Sequence, residues 1–151
     1  MRRDTQTDPA KEMARGCLAA RLRLLNRAVS KVYDDALRPH GLRVSQLNIL
    51  VAVAAEGPLR SVDVAGLLQL DKSTLSRDLE RMFDRDWVRA LAGTGRSQPL
   101  EVTDAGRELV VAVAPAWRAA QREARKLLTP ALADGMATVV DAMWEGFGAD
   151  L

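Results

Sequence analysis

Five side chains in the stretch DKSTLSRDLERM, residues 71–82, place hydrogen-bonding groups along one side of a helical period. Ser73, Arg77 and Arg81 fall at i, i+4 and i+8 with Thr74 and Ser76 beside them, whereas Leu75, Leu79, Met82 and Phe83 recur at packing positions on the other side. A guanidinium offers a fork of donors that matches a guanine edge or a phosphate, and a hydroxyl can either donate to or accept from a base. The chemistry open to such a face is recognition of a duplex. A merely solvated face is the competing explanation, because Asp78, Glu80 and Asp84 share the helix as they would on a salt-laced surface.

The neighbouring segments supply the parts needed to aim that face. Ser61 is expected to cap a short helix running through Leu68, with Val64, Ala65 and Leu68 inward, and Asp71 to cap the helix that follows. Two short helices joined by a tight turn form a helix-turn-helix, whose second helix enters a major groove. Behind it, RALAGTGRSQPLEVT carries apolar residues at Val88, Leu91, Leu100 and Val102 around a Gly-, Ser- and Pro-containing tip, the pattern of a β-hairpin. Such a hairpin is a wing, and Arg96 at its tip is placed to enter an adjacent minor groove.

The flanks are long and amphipathic. Residues 1–10 are polar with no apolar period and are expected to form a mobile arm, with order beginning near Glu12. Leu18, Leu22, Leu25, Val29, Val32 and Ala36 then mark one long helix ended by Pro39 and Gly41, and a second run from Gln46 to about Ala55 is apolar almost all round. After the hairpin, Thr103 and Asp104 are expected to cap a long helix that Pro115 should kink. Thr129-Pro130 opens a last one striped by Leu132, Met136, Val139, Val140 and Met143. Three such helices exceed what one small core can cover, which points to a homodimer presenting two recognition helices to a pseudo-palindrome.

Composition agrees with a single domain and excludes other classes. The 151 residues, 48% hydrophobic and 28% charged, are enough for one core, and the formal charge of +2 permits a nucleic-acid partner without requiring one. One Cys and one His leave no disulfide framework and no metal cluster, and there is no Gly-rich phosphate loop or nucleophile and base at recognisable spacing, so neither a cofactor nor an enzyme is expected. No apolar run spans a bilayer, and Met1-Arg2-Arg3 leads into polar residues where a signal peptide would be apolar, so the expected location is cytoplasmic.

The segment SVDVAGLLQLDKSTLSRDLERMFDRDWV, followed by a wing and VTDAGREL, resembles the MarR family of winged-helix transcription regulators, and VYDDALRPHGLRVSQLNIL is similar to that family's first two helices. The resemblance spans about Met13 to the end of the chain. It implies a mainly α fold (an α+β winged helix), a winged helix-turn-helix with long N- and C-terminal dimerisation helices. Residues 11–151 would be one regulator domain, with 43–103 binding DNA and 11–42 and 104–151 making the dimer. It further implies that Ser73, Thr74, Ser76 and Arg77 read bases and phosphates, with Arg96 at the wing tip. Three positions depart from the family's pattern: Gly95 precedes the wing arginine where Asp is common, Asp86 precedes Trp87 where Gly is usual, and Arg43 stands where a hydroxyl residue commonly opens the second helix. The last two should cost capping energy of about 1 kcal/mol.

The function expected is sequence-specific DNA binding by a transcriptional regulator, with repression as the anticipated sense and activation left open. The family commonly binds small aromatic or phenolic acids between the dimer helices and the winged helix, which makes Tyr33, His40 and Gln46 candidate effector contacts. Cys17, with Arg15 and Arg21 nearby, is a candidate redox-sensing thiol, although isolated cysteines are more often packing residues. The rival reading is a winged helix used only as a protein-interaction module, which would show apolar or acidic residues where residues 71–85 have Ser73, Arg77 and Arg81.

Overall fold

The computed structural model describes the backbone of residues 8–92 and 98–148, and side chains as far as Met143 in the final helix. Its helices are α1 (Pro9–Gly16), α2 (Leu18–Leu37), α3 (Val44–Glu56), α4 (Ser61–Leu68), α5 (Lys72–Asp84), α6 (Asp104–Leu128) and α7 (Pro130–Gly148). Strands β1 (Leu59–Arg60), β2 (Val88–Ala90) and β3 (Pro99–Val102) form one antiparallel sheet in the order β1-β3-β2. The hairpin pairs Val88 with Val102 and Ala90 with Leu100, as the alternation requires, while Arg89 faces Glu101 across it. Strand β1 is an addition to the expected hairpin: its two residues pair with Pro99 and Leu100. A two-residue strand carries no periodicity of its own to betray it.

The core lies where α3, α4, α5 and the sheet meet. Leu47, Ile49, Leu50 and Val53 from α3 pack with Val64, Leu75, Leu79, Met82, Val88, Leu100 and Val102, and Val113 closes the cluster from α6. The nearly all-apolar run of α3 is thus a buried helix. Leu75, Leu79 and Met82 face inward as their spacing predicts, but Phe83 is 42% exposed. Asp78 is the second correction to α5: expected on the solvated face, it is only 6% exposed.

Three helical segments end alike. In each, a residue in the left-handed region lets the chain fold back on the last turn: Gly41 after Arg38–His40, Gln69 after α4, and Asp86 after α5. At α5 the Asp86 N–H donates to the Phe83 carbonyl and the Trp87 N–H to the Met82 carbonyl, both at 2.9 Å, the Schellman arrangement that ordinarily recruits glycine. Asp86 therefore occupies glycine's usual place at a φ of 55°. The Arg43 departure is met differently. Arg43 offers no side-chain cap, but Asp34 reaches across from α2 and accepts from the Val44 N–H at 2.8 Å, while Gln46 Oε1 accepts from the Arg43 N–H at 3.1 Å. The missing hydroxyl is replaced from another helix.

Other boundaries shift for local reasons. The N-cap of α4 is Arg60, not Ser61, and the Asp63 carboxylate accepts from the Arg60 N–H at 3.3 Å. The chain is helical from Pro9, two residues before the boundary expected for the arm, and residues 1–7 lie outside those described. The long first helix is divided: Gly16 ends α1 and Cys17 is extended at φ −64° and ψ 109°. Glycine's low helix propensity, in a segment that buries nothing, lets the helix part there. Helix α6 continues through Pro115 to Leu128. Thr129 then separates it from α7, in line with the Thr129-Pro130 start.

The winged helix is joined to α6 by a single residue. Thr103 Oγ1 donates to the Asp86 carbonyl and accepts from the Gly106 N–H at 3.0 Å, and the Thr103 N–H donates to the Trp87 carbonyl at 3.2 Å. A Cβ on Gly106 would sit 2.1 Å from the Trp87 carbonyl oxygen, closer than any real contact. Gly106→Ala is expected to destabilise the protein by about 1–3 kcal/mol through this overlap. Asp86→Gly should instead stabilise it by about 0.5–1 kcal/mol, the left-handed penalty net of glycine's entropy. Urea unfolding of both variants at one protomer concentration checks the two signs together.

Candidate nucleic-acid interface

Helix α5 begins on a single carboxylate. Asp71 Oδ1 accepts from the Thr74 N–H at 2.8 Å and from Ser73 Oγ at 2.6 Å, and Oδ2 accepts from Thr74 Oγ1 at 2.6 Å. The bond from the Ser73 hydroxyl, followed by those from the Thr74 hydroxyl and N–H, holds the Asp71 carboxyl well below the usual carboxylate range. One turn on, Arg77 lies back along the helix, its Nε donating to the Ser73 carbonyl at 3.1 Å and Nη2 to Ser73 Oγ at 3.3 Å. Asp71, Ser73, Thr74 and Arg77 thus form one hydrogen-bonded chain at the start of α5.

That chain is presented outward. Ser73, Ser76 and Arg77 are exposed and Thr74 half-buried, and the exposed residues of α5 include one apolar side chain, Phe83, in the last turn. The structure therefore gathers four of the expected readers, Ser73, Thr74, Ser76 and Arg77, at the N-terminal half of the helix. Arg81 departs from them. It lies on a cleft of about 950 Å³ between α2 and the end of α5, with Arg27, Lys31, Arg43, Arg85 and Trp87 among the lining residues. Arg96 and Gly95 fall within residues 93–97, outside those described. The wing strands below that tip are held by an ion pair between Arg89 and Glu101, Nη2 to Oε2 2.6 Å.

The other expected site residues separate. Gln46 is buried at the cleft and spends its carbonyl on the Arg43 N–H. Tyr33 does not line the cleft: its hydroxyl donates to Gln121 Oε1, tying α2 to α6, and burial raises its pKa. His40 sits in the turn after α2, half-buried, and is also absent from the cleft lining. Cys17 is exposed at the bend between α1 and α2, and the Arg21 guanidinium nearby donates to the Arg15 carbonyl. Asp34 falls within the segment similar to the family's first two helices, but its capping role has no mark in sequence, because a cap supplied from ten residues away has no spacing signature. The same holds for the cations that line the cleft from α2, which look like ordinary surface charges in sequence.

No family model matches the chain. It is 26% identical over 76 residues to the uncharacterized HTH-type transcriptional regulator YwoH of Bacillus subtilis, a match that spans 50% of this chain and 56% of that protein. The transcriptional regulator MosR of M. tuberculosis superposes with a TM-score of 0.71 at 28% identity, over 85% of this chain and 96% of that one. The same regulator in complex with DNA gives 0.70 at 28%, over 85% and 97%. In fold, and at 28% identity in sequence, the chain resembles the MarR-family transcriptional regulators. E. coli MarR complexed with operator DNA shares the MarR fold at a TM-score of 0.74 and 16% identity, over 87% of this chain and 96% of that one. The α3–α4–α5–wing unit accordingly has the winged-helix fold found in MarR-type regulators, and α1, α2, α6 and α7 flank it.

The depressed pKa of Asp71 fixes the sign of a pH effect. A carboxyl whose folded value lies below its unfolded one stabilises the fold fully above the ordinary carboxylate range and loses that contribution as pH falls through the folded value. Unfolding of the wild type and of Asp71→Ala should therefore differ by a constant amount from neutral pH down to about pH 5, and the gap should narrow below about pH 4. A gap that narrows between pH 7 and pH 5 would contradict the Asp71 assignment.

Proposed function

We propose that this chain is a MarR-family regulator, a homodimer that binds a pseudo-palindromic operator in double-stranded DNA, with α5 in the major groove and the wing, carrying Arg96, against the minor groove, and that it acts as a cytoplasmic repressor. The observation that carries the reading is the outward-facing Ser73, Ser76 and Arg77 at the start of α5, backed by the whole-chain likeness to MosR, of which one structure holds DNA. In the described residues no helix is long and apolar enough to cross a membrane, which is compatible with that location.

Apolar surface left on the flanking helices supports the dimer. Leu22 and Leu24 on α2, Leu127 on α6, and Leu132, Val139, Val140 and Met143 on α7 are exposed in the single chain, and Leu25 and Val29 only half-buried. Exposed apolar side chains in such number on the flanking helices ordinarily find a partner, and a second copy related by a twofold axis would cover them on both protomers at once. Sedimentation is expected to give a dimer at micromolar concentration. A folded monomer there would remove the dimer.

A second element of the reading is an effector site. The cleft between α2 and α5 is lined by Arg27, Lys31, Arg38, Arg43, Arg81 and Arg85 against Asp34, Asp35 and Asp84, a surplus of positive charge that suits an aromatic or phenolic acid. Lys31 and Arg38 both pair with Asp35, so the arginines nearer α5 are the candidates for the carboxylate.

Arg77 is the sharpest test of the DNA reading. Arg77→Ala should weaken operator binding by about 1–3 kcal/mol and relax sequence preference if the contact is to a base. A phosphate contact would instead lower affinity for all sequences alike and reduce the salt slope by about one. Fluorescence anisotropy across a salt series separates the two cases. Unchanged affinity in a folded dimer would favour the interaction-module alternative.

A further inference from the structure

Hydroxyl groups at the start of a recognition helix are usually ambivalent, able to donate or to accept. Here they are not. An ionised carboxylate only accepts, so at 2.6 Å from Asp71 both the Ser73 and the Thr74 hydroxyl must direct their protons to it. What remains for an approaching duplex is lone pairs. Ser73 Oγ shares one of these with Arg77 Nη2 at 3.3 Å, and Thr74 Oγ1 accepts from no group within the described residues. The carboxylate is also a full negative charge directly behind the two oxygens.

We propose that Asp71 sets the polarity of recognition, making Ser73 and Thr74 hydrogen-bond acceptors that select bases with an exocyclic amino group, adenine N6 or cytosine N4, and turn away phosphate. In the major groove these amino groups are the donors available, whereas guanine O6 and N7 and thymine O4 are acceptors like the hydroxyls themselves. A phosphate oxygen is likewise an acceptor and carries a charge of the same sign as Asp71. Contact with any of these requires a hydroxyl to leave a charge-assisted bond, which is a strong one. Asp71 is in this sense a positioning residue: it need not touch DNA, and it acts through the direction in which two protons point. The inference rests on the DNA-reading function proposed above. It goes beyond that function in assigning a direction to each contact.

The near-isosteric variant Asp71→Asn supplies the opposing case. The oxygen that serves both Ser73 and the Thr74 N–H is best kept as the amide oxygen, which leaves the amide nitrogen facing Thr74 Oγ1. The nitrogen then donates to Thr74, whose own proton is released outward. At the base facing Thr74 the preference should pass from adenine or cytosine to guanine or thymine.

The test is selection from random duplex DNA with the full-length wild-type and Asp71→Asn proteins, after sedimentation and circular dichroism show each to be folded. It is followed by anisotropy on the selected operator with single amino groups deleted from its adenines and cytosines. In the wild type, deletion at one or two positions per half-site should cost about tenfold in affinity. The same deletion should cost nothing further in Ser73→Ala or Thr74→Val, whichever hydroxyl faces that base, and Asp71→Asn should exchange the preference there. Guanine or thymine at these positions in the wild type, or amino-group losses undiminished in both hydroxyl variants, overturns the polarity assignment while leaving sequence-specific binding intact. Wild-type protein that binds all duplexes equally overturns the DNA-reading function and this inference with it.

Discussion

The hydroxyl of Thr103 is the polar joint between the winged helix and α6, set beside the apolar packing of Val113 into the core. It donates to the carbonyl of Asp86, accepts from the N–H of Gly106, and sits beside a backbone bond from its own N–H to Trp87. The Schellman end of α5, the last strand of the sheet and the first turn of α6 therefore share one small buried knot. Gly106 is there because the Trp87 carbonyl occupies the space of a Cβ. Trp87 is itself buried, with Arg85 5.6 Å from its ring centroid, so the end of α5 cannot shift without disturbing the start of α6. In the proposed dimer, two recognition helices held at a set separation need such a link between reader and flanking helices.

From that knot the division of labour along α5 follows. Its C-terminal half serves packing through Met82 and the cleft through Arg81, joined there by Arg85 just past its end, while its N-terminal half is free to face outward. The cleft is bounded on one side by α2 and on the other by the last turns of α5. A ligand seated there would touch both halves of the molecule, and its binding energy could bias the angle between them. The Asp34 bond to the α3 N-terminus lies at the same boundary, so α2 holds the winged helix at a second point.

Most of the architecture was legible because it is periodic. The stripes of α2, α3, α5 and α7, the alternation of Val88, Leu100 and Val102, and the Asp71 and Thr103 caps each leave a mark in neighbouring residues. What escaped was set by contacts distant in sequence or by competition between local preferences. Asp78 shares the charge pattern of a solvent face and is buried by the packing around it. Gly16 is one weak residue just ahead of a long apolar period, yet with no residue of α1 buried it suffices to separate two helices. Arg81 has the right spacing for the outer face, and only the position of α2 shows that its side chain has a cleft to occupy. Of the ligand candidates, Tyr33 was drawn away by Gln121, 88 residues on, and Gln46 was kept at the cleft by its bond to Arg43. The departures at Asp86 and Arg43 were visible in sequence, whereas the way each is accommodated, by a left-handed aspartate and by a cap from α2, needed the fold.

The central claim, that α5 reads DNA as one of a symmetric pair, is tested most directly by sequencing duplexes that the purified wild-type protein enriches from a random pool at near-physiological salt. The account expects an inverted repeat whose half-site centres are about one helical turn, roughly 10 base pairs, apart. Enrichment of no sequence, or of a single unrepeated element, would contradict it.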